Sequence, residues 1–308
     1  MTVAPSKIGI DVSKAWLDIY DATSGRAQRL ANSQEVVKRF LASLPQDSRL
    51  VFEATGPYDL ALRKSLDDAG LAFARLNPAR ARDYARFKGK LAKTDAIDAR
   101  MLAMMVDVVD FAAERAFDED HEALAALHRR RDQLVGQRAV ERNRSADAPD
   151  QRERESLKRH MAFLDAEIAL IDAHIAAMLM LPAFAPRLEI LRSLKGIGPV
   201  TATTLLALMP ELGALTPKTA AALAGLAPHN CDSGKFRGQR HVGGGRARVR
   251  RALYMAALSA IRRIPRFNAQ YKAIAARSGK RKIGIIAVAR KLIVTLNAML
   301  REGKPFVA

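Results

Sequence analysis

The order of strand-like and helix-like segments constrains the fold of this chain more than any other feature. In the first hundred residues, the runs KIGIDV (7–12), RLVFEA (49–54) and LAFARL (71–76) are short and apolar, as buried strands are. The run AWLDIY (15–20) follows the first so closely that we expect the two to form a hairpin. Between the runs, Pro57 and Pro78 stand where helices can begin. This alternation predicts an α/β domain.

Helical signals dominate the middle of the chain. Thr94 is placed to cap a helix over residues 95–106. From about residue 118 to 180 no run is typical of a strand and glycine is scarce, so we expect two long helices interrupted near Pro149. The apolar stripe of the second helix consists of Leu157, Phe163 or Leu164, Ile168, Ile171, Ile175 and Leu179. This stripe fits either a helical hairpin packed on its own domain or a coiled coil between subunits.

The last third begins with a helix–turn–helix pattern. A helix near Pro186 is followed by LKGIGPVTA (194–202), in which two glycines one residue apart precede a helix that starts at Pro199. This pattern is typical of a helix-hairpin-helix, where glycines let the backbone approach a phosphate and the free N–H groups of the second helix bind it. A tight connection between two packed helices produces the same pattern. We therefore expect an α/β domain over residues 1–115, a helical region over 116–182 and a mainly helical domain over 183–308.

Bulk composition excludes several classes of protein. The single cysteine, Cys231, excludes an intramolecular disulfide and a multi-cysteine zinc site. The longest apolar run, residues 283–289, is far shorter than the roughly 18 residues that span a bilayer. The N-terminus lacks a basic region followed by an apolar stretch, so no secretory signal is expected. We therefore expect a cytosolic protein with no membrane partner.

Positive charge is concentrated in the last third of the sequence. Residues 194–308 contain 21 Lys and Arg but only three acids, and so carry +18 of the formal net charge of +19. Clusters at 246–251 and 280–282 favour a surface that attracts phosphate. Nucleic acid is the expected partner; a solvated basic face and a patch on anionic lipid are the alternatives.

Four carboxylates have the pattern of a metal site. Asp11 and Glu53 end two predicted strands, and Asp95 and Asp98 share one face of a predicted helix. Oxygen ligands of this kind suit two Mg²⁺ ions, which polarise a phosphodiester. Asp95 and Asp98 also have structural interpretations, because Asp95 favours the dipole of its helix and Asp98 could pair with Arg100 or with a lysine of a neighbouring strand. Glu53 is the hardest to explain structurally, since burying a lone carboxylate is costly.

The glycine-rich loop over residues 228–245 is the other candidate site. Ser233 stands beside Gly234 among the cations Lys235, Arg237 and Arg240. A serine facing phosphate in such surroundings is a candidate nucleophile, although taken alone it is more typical of a turn. Cys231 and His241 have no carboxylate placed to orient the imidazole, which favours structural or phosphate-contact roles for both.

Seven motifs resemble one transposase family. In order they are GIDVSK (9–14), FEATGPY (52–58), KTDAIDARMLA (93–103), LKGIGPVTA (194–202), AGLAP (224–228), DSGKFRG (232–238) and GGRARVRRALYMAAL (244–258). They resemble the bridge-RNA-guided insertion-sequence transposases, which pair an N-terminal RuvC-like DEDD domain with a C-terminal serine domain. Where many members carry a lysine and a Gly-Asn pair, this chain has Gly243, Gly244, Gly245 and Arg246. That departure bears on the subgroup and the layout of the RNA.

The resemblance implies a fold, a chemistry and partners. It implies an RNase-H-like domain whose Asp11, Glu53, Asp95 and Asp98 bind Mg²⁺, with Mn²⁺ as an alternative. Ser233 is then the nucleophile that forms a covalent phosphoserine during strand exchange between donor and target DNA. A structured noncoding RNA chooses both DNA sites, and each active site combines two subunits of a dimer or tetramer. The predicted nucleic-acid contacts are Lys195, Gly196, Gly198, Lys235, Arg237, Arg240, Arg246, Arg248, Arg250 and Arg251.

Two other functions compete with this interpretation. A metal-dependent, structure-specific nuclease of the junction-resolvase kind would use the four acids and water, and Ser233 would only form a turn. A non-catalytic nucleic-acid-binding protein would use the helix-hairpin-helix and the basic segment but leave the four acids without a purpose. Covalent linkage of DNA to Ser233 separates the serine transposase from the nuclease, because only the transposase forms it.

Overall fold

The computed structural model describes residues 5–54, 56–89, 95–109, 111, 117–229, 232–233, 236–238 and 240–307. Side chains are described throughout these ranges except at 95–97, 232–233 and 236–237. The chain folds into two compact units, Met1–Phe117 and Asp118–Ala308. The three-part division expected from the sequence stays a prediction.

The N-terminal unit is built on a mixed five-stranded sheet. Its elements are β1 (Lys7–Val12), β2 (Trp16–Asp21), β3 (Arg26–Ala31), α1 (Gln34–Ala42), β4 (Arg49–Glu53), a short 3₁₀ helix (Gly56–Asp59), α2 (Leu60–Ala69), β5 (Ala72–Leu76), α3 (Pro78–Phe87) and α4 (Asp95–Met105). The strand order is β3-β2-β1-β4-β5, with β1, β2 and β3 antiparallel and β1, β4 and β5 parallel. This is an RNase-H-like sheet, as expected. The four predicted strands are confirmed, whereas β3 and α1 were not predicted, and Pro57 lies in the 3₁₀ turn before α2.

Helices cover both faces of this sheet. On one face, Ile8, Ile10 and Phe52 pack against α1 and α2. On the other face, Val51 packs against α4, and a Cβ at Gly9 would overlap the backbone of α4. Because only glycine leaves room there, α4 lies directly on β1.

The C-terminal unit is mainly helical. Its elements are α5 (Glu119–Asp147), α6 (Gln151–Leu179), α7 (Ala185–Ser193), α8 (Pro199–Leu208), α9 (Pro217–Leu223), β6 (Pro228–His229), β7 (Asp232–Ser233), β8 (Phe236–Arg237), β9 (His241–Val242), α10 (Ala247–Arg263), α11 (Pro265–Ser278) and α12 (Arg281–Glu302). The two long helices are confirmed, and the break between them lies at residues 148–150. They form an antiparallel pair within the chain, held by ion pairs such as Arg131–Asp172 and Arg138–Asp165. The structure thus contains the helical hairpin that was one of the two alternatives for this segment. The other alternative, a coiled coil with another subunit, stays a prediction.

Helix α12 forms part of the core of this unit. By length and composition α12 is apolar enough to cross a membrane, so the longest apolar segment extends beyond residues 283–289, which were taken from the sequence. Its buried side chains include Val288, Leu292 and Leu296. Buried Asn297 accepts a hydrogen bond from the Gly213 N–H at 2.8 Å and donates one to the Leu215 carbonyl at 2.7 Å. These contacts are those of a helix packed inside a folded unit.

Candidate active site and nucleic-acid interface

Parallel pairing places Asp11 beside Glu53. Ile10 of β1 is level with Phe52 of β4, so the next residues along the two strands, Asp11 and Glu53, are neighbours across the ladder. Adjacent strands are about 4.8 Å apart, and side chains at equivalent positions point to the same face. Asp11 lies two residues from Gly9 and therefore on the face covered by α4. The two acids thus share one face of the sheet.

Helix α4 brings Asp98 to the same face. Gly9 lies against the backbone of Ala99, which follows Asp98. The helix runs opposite to β1, because Lys7 at the start of β1 pairs at 2.6 Å with Asp107, just after α4. The N-terminal turns of α4 therefore lie over the end of β1 that carries Asp11. Asp95 is one turn earlier on the same helix, and its side chain lies outside the described residues.

The donor chemistry of this face fits a divalent cation. Carboxylate oxygens are the ligands that Mg²⁺ prefers, and Asp11, Glu53 and Asp98 are half-buried. Each of them already takes part in an interaction within the chain. Among the described residues, no three His, Cys, Asp or Glu side chains form a group that could hold a metal ion. Metal binding by Asp11, Glu53, Asp98 and Asp95 therefore stays a prediction, and the side chain of Asp95 lies outside the described residues.

A fifth carboxylate, Asp18, was missed by the sequence analysis. It lies directly opposite Asp11 in the antiparallel pairing of β1 and β2, on the same face. Two like charges in this position repel each other. Arg29 on β3 offsets the repulsion, since its Nε and Nη2 donate to the two oxygens of Asp18 at 2.8 and 2.9 Å. The alternation of buried Leu17 and Ile19 in AWLDIY was the available signal, because it turns Asp18 away from the core on the other face.

Ser233 lies on a small nested hairpin. The outer ladder joins β6 to β9 and the inner ladder joins β7 to β8. Ser233 pairs with Phe236 and is the last residue of β7, before residues 234 and 235, which join the strands and lie outside the described residues. At the base of this hairpin, exposed His229 and His241 are opposite each other. We call residues 228–242 the serine hairpin.

Glycines fix the end of the serine hairpin against α9. Gly244 and Gly245 have φ values of 62° and 54°, in the left-handed region that favours glycine. A Cβ at Gly245 would overlap the backbone of Gly225, and one at Gly225 would overlap the Arg250 guanidinium. Arg250 Nη1 donates to the Gly244 carbonyl at 2.7 Å. Within the glycine run that departs from the family pattern, Gly245 is thus the close-packed position, and we call its contacts with Gly225 and α9 the glycine anchor.

Arg246 completes this anchor. Its backbone N–H donates to the Leu223 carbonyl at 2.7 Å, and its Nη1 donates to the Leu208 carbonyl at 2.7 Å and to Glu211 at 2.8 Å. Burial raises the pKa of the Glu211 carboxyl, but the hydrogen bonds and charge of Arg246 outweigh it, so this pKa lies below its usual value. Arg246 therefore joins α10 to the segment after α8.

A second internal contact involves Arg248 and a buried histidine. Arg248 Nε pairs with Asp132 of α5 at 3.2 Å, and Asp132 is 4.0 Å from Nδ1 of His128. Nε2 of His128 is 3.0 Å from the Thr204 hydroxyl of α8. Burial lowers the pKa of His128, Asp132 opposes that shift, and the charges of Arg248 and other arginines add to it, leaving the pKa below its ordinary value. The structure thus uses Arg248 to connect α10 with α5.

The predicted nucleic-acid contacts divide into internal and exposed residues. Arg246, Arg248 and Arg250 make the internal contacts above, whereas Arg251 is exposed. Arg240 is exposed beside β9, Lys235 lies outside the described residues, and so does the side chain of Arg237. A cluster of basic residues in the sequence therefore includes arginines that hold the fold together.

Helices α7 and α8 flank the turn at which the helix-hairpin-helix was predicted. Gly196 has φ 121°, and a Cβ there would lie 3.0 Å from the Ala260 backbone of α10, so this glycine permits helix packing. Gly198 is the N-terminal cap residue of α8, is exposed, and has open space around its Cα. Lys195 is also exposed. A phosphate can thus approach the backbone closely at Gly198, whereas the space beside Gly196 is filled by Ala260 of α10.

Two family models match this chain. Residues 8–150 match a model described as "Transposase", of the DEDD domain of the IS110 type, and residues 188–272 match one described as "Transposase IS116/IS110/IS902 family". The first covers the sheet, α4 and all of α5, and the second begins within α7 and ends within α11.

Three curated proteins are similar to this chain in sequence. The "Pilin gene-inverting protein" of Moraxella lacunata and that of Moraxella bovis are each 28% identical over 262 residues, which is 83% of this chain and 81% of the relative. The "Insertion element IS110 uncharacterized 43.6 kDa protein" of Streptomyces coelicolor is 32% identical over 144 residues, or 46% of this chain and 33% of the relative.

Proposed function

Because this chain belongs to the IS110/IS116/IS902 family of transposases, with an N-terminal DEDD domain and a C-terminal transposase domain, we propose that it exchanges DNA strands through a covalent phosphoserine at Ser233. Family membership makes it a DNA-processing enzyme of the transposase and DNA-invertase type, and its DEDD domain implies a divalent metal. The finer proposal is that the metal is Mg²⁺ and that a structured RNA guides the reaction in the cytosol. The observation that supports the metal part of the proposal is the placement of Asp11, Glu53 and Asp98 on one face of the sheet, and the serine chemistry and the RNA guidance rest on the resemblance of the motifs to the family.

The chemistry divides between the two sites. A divalent cation would be held by Asp11, Glu53, Asp95 and Asp98, and when bound it would stabilise negative charge on the phosphate. Ser233 Oγ attacks the phosphorus of a phosphodiester, its proton leaves to solvent, and a Ser–O–P bond forms. The P–O bond to one deoxyribose breaks, and that deoxyribose oxygen takes a proton and leaves as a hydroxyl. A hydroxyl from the second DNA then attacks the phosphoserine, which rejoins the strands and frees Ser233.

The proposed partners are donor DNA, target DNA and a guide RNA. Base pairing by the RNA would choose the two sites, and the exposed cations of the protein would then contact backbone phosphates without reading the sequence. The assembly we propose is a dimer or tetramer in which the acids of one subunit act with Ser233 of another.

Strand exchange in a purified system tests this proposal. The full-length chain, the noncoding RNA that flanks the element, and labelled donor and target DNA are incubated with Mg²⁺, and recombinant products are counted by sequencing. Ser233→Ala and Asp11→Asn should each abolish the products, as should omission of the RNA. Ser156→Ala, at an exposed serine of α6, is the matched control and should leave them unchanged.

Two outcomes would contradict parts of the proposal. If Ser233→Ala still cuts DNA in a metal-dependent way, the acids act with water and the chain is a nuclease of the junction-resolvase kind. If products form equally well without RNA, the guidance by RNA is wrong while the serine chemistry stands.

A further inference from the structure

A cleft lined by cations lies where α10 meets α11. It has a volume of about 430 Å³ and is lined by Arg262, Arg263 and Lys272, with Ile264, Pro265 and Asn268 between them. The three cationic side chains are exposed. Among the residues that the structure describes, none of the three forms an ion pair with an acid. Their charge is therefore directed to solvent, unlike that of Arg246 and Arg248.

No carboxylate is available in this part of the sequence. Between Ala247 and Arg301 there are 14 Lys and Arg and no Asp or Glu. Positive charges that face one cleft repel each other unless an anion neutralises them. The cleft therefore suits a ligand with several negative charges.

The cleft has a rigid frame. Asn268 Nδ2 donates to the Ile261 carbonyl at 3.0 Å, which ties the first turn of α11 to the end of α10. Ile264 and Phe267, on the inner side of this corner, are buried. The backbone that carries Arg262 and Arg263 is thus held in place before a ligand arrives, which lowers the entropy lost on binding.

The helix-hairpin-helix turn lies next to this cleft. Gly196 packs on Ala260, and the cleft begins at Ile261, the next residue of α10. Exposed Lys195 and Gly198 belong to the same turn. The turn before α8 and the cleft are therefore neighbours along α10.

We propose that this cleft binds the phosphodiester backbone of double-stranded DNA beside the helix-hairpin-helix. Its lining offers cations for phosphates and no aromatic ring on which an unpaired base could stack, which favours a duplex over a single strand. The inference rests on the family conclusion that the chain processes DNA, and it is independent of the chemistry at Ser233.

Salt-dependent binding tests the inference. The full-length chain with Ser233→Ala binds a labelled 30-base-pair duplex without metal, so that catalysis plays no part, and anisotropy is measured over a series of salt concentrations. Arg262→Gln, Arg263→Gln and Lys272→Gln are combined in one variant. If three phosphate contacts are lost, the slope of log K against log salt becomes shallower by about 2.7, and affinity at 0.1 M salt falls on the order of a hundredfold.

Two further variants make the result specific. Arg142→Gln, Lys158→Gln and Arg159→Gln remove the same charge from exposed positions of α5 and α6 and should leave the slope nearly unchanged. Arg262→Lys with Arg263→Lys keeps the charge and should keep most of the affinity. The inference is overturned if the Gln variant binds the duplex with the original slope. It is also overturned if that variant loses affinity only for the noncoding RNA.

Discussion

The acidic face of the N-terminal sheet and the serine hairpin of the C-terminal unit are held in place by different means. Asp11, Glu53 and Asp98 lie on strands and a helix of five to eleven residues, each anchored by buried apolar side chains. The strands that carry Ser233 and its pairing partner are only two residues long, and their position depends on contacts at the base of the hairpin. We therefore expect substitutions beneath the acids to unfold their unit, and substitutions at the hairpin base to reduce activity more than stability.

The largest expected effect is that of Gly9→Val. A side chain there overlaps the backbone of Ala99 and Ala103, so α4 must move away from β1. Overpacking of this kind costs about 3 kcal/mol, and we expect the free energy of unfolding of the N-terminal unit to fall by that amount in urea titrations. Gly136→Ala is the control, because that helical glycine has open space and alanine should stabilise α5. Equal unfolding midpoints for Gly9→Val and the unchanged chain would refute the close packing.

Arg246→Ala separates activity from stability. It removes the partner of the partly buried Glu211 carboxylate and the bond to the Leu208 carbonyl, which should cost about 2 kcal/mol. Because Arg246 follows the glycine anchor, strand exchange should fall by much more than the unfolded fraction explains. Exposed Arg251→Ala is the matched control for stability. A loss of activity no larger than the loss of folded protein would contradict the role of the anchor in placing Ser233.

Arg29→Ala should have a smaller effect, confined to the acidic face. The variant leaves Asp18 opposite Asp11 without its guanidinium, and since Arg29 is half-exposed the cost is about 1 kcal/mol. A double-mutant cycle with Asp18→Asn measures the coupling by thermal unfolding. No coupling between the two positions would show that the pair contributes nothing to the stability of this face.

The smallest expected effect is a pH dependence in the C-terminal unit. His128 has a pKa below 6.5 in the folded chain, so as pH falls below about 6.5 the unfolded chain binds a proton that the folded chain does not. The free energy of unfolding should therefore decrease from pH 7 toward pH 5, and His128→Gln should flatten this slope. His174→Gln, at an exposed position of α6, should leave it unchanged. The lowered pKa of Glu211 adds a separate loss only below about pH 4.5.

Much of the fold could be predicted because its strongest elements are marked by local patterns. β1, β2, β4 and β5 are short apolar runs, and the break before α6 is marked by Pro149. β3 escaped prediction because it is an edge strand with mostly exposed side chains, and the nine-residue α1 buries only three residues.

The candidate site was predictable in residue type more than in arrangement. The four acids and Ser233 were indicated by motifs, and their roles stay predictions. The link between Asp18 and Asp11 follows from strand register, and the link between Arg248 and Asp132 joins residues far apart in sequence. The order of apolar and polar residues within one segment does not show which residue of another segment it contacts. For the same reason the packing of Gly196 on Ala260 could not be separated from a phosphate contact.

Trapping the covalent intermediate tests the central claim most directly. The full-length chain is incubated with its noncoding RNA, Mg²⁺ and labelled DNA, denatured, digested with protease and nuclease, and analysed by mass spectrometry for a peptide that retains a nucleotide. The account predicts one modified peptide, linked through Ser233, which is absent from Asp11→Asn. A nucleotide attached to another residue, or strand cleavage with no attached nucleotide, would contradict it.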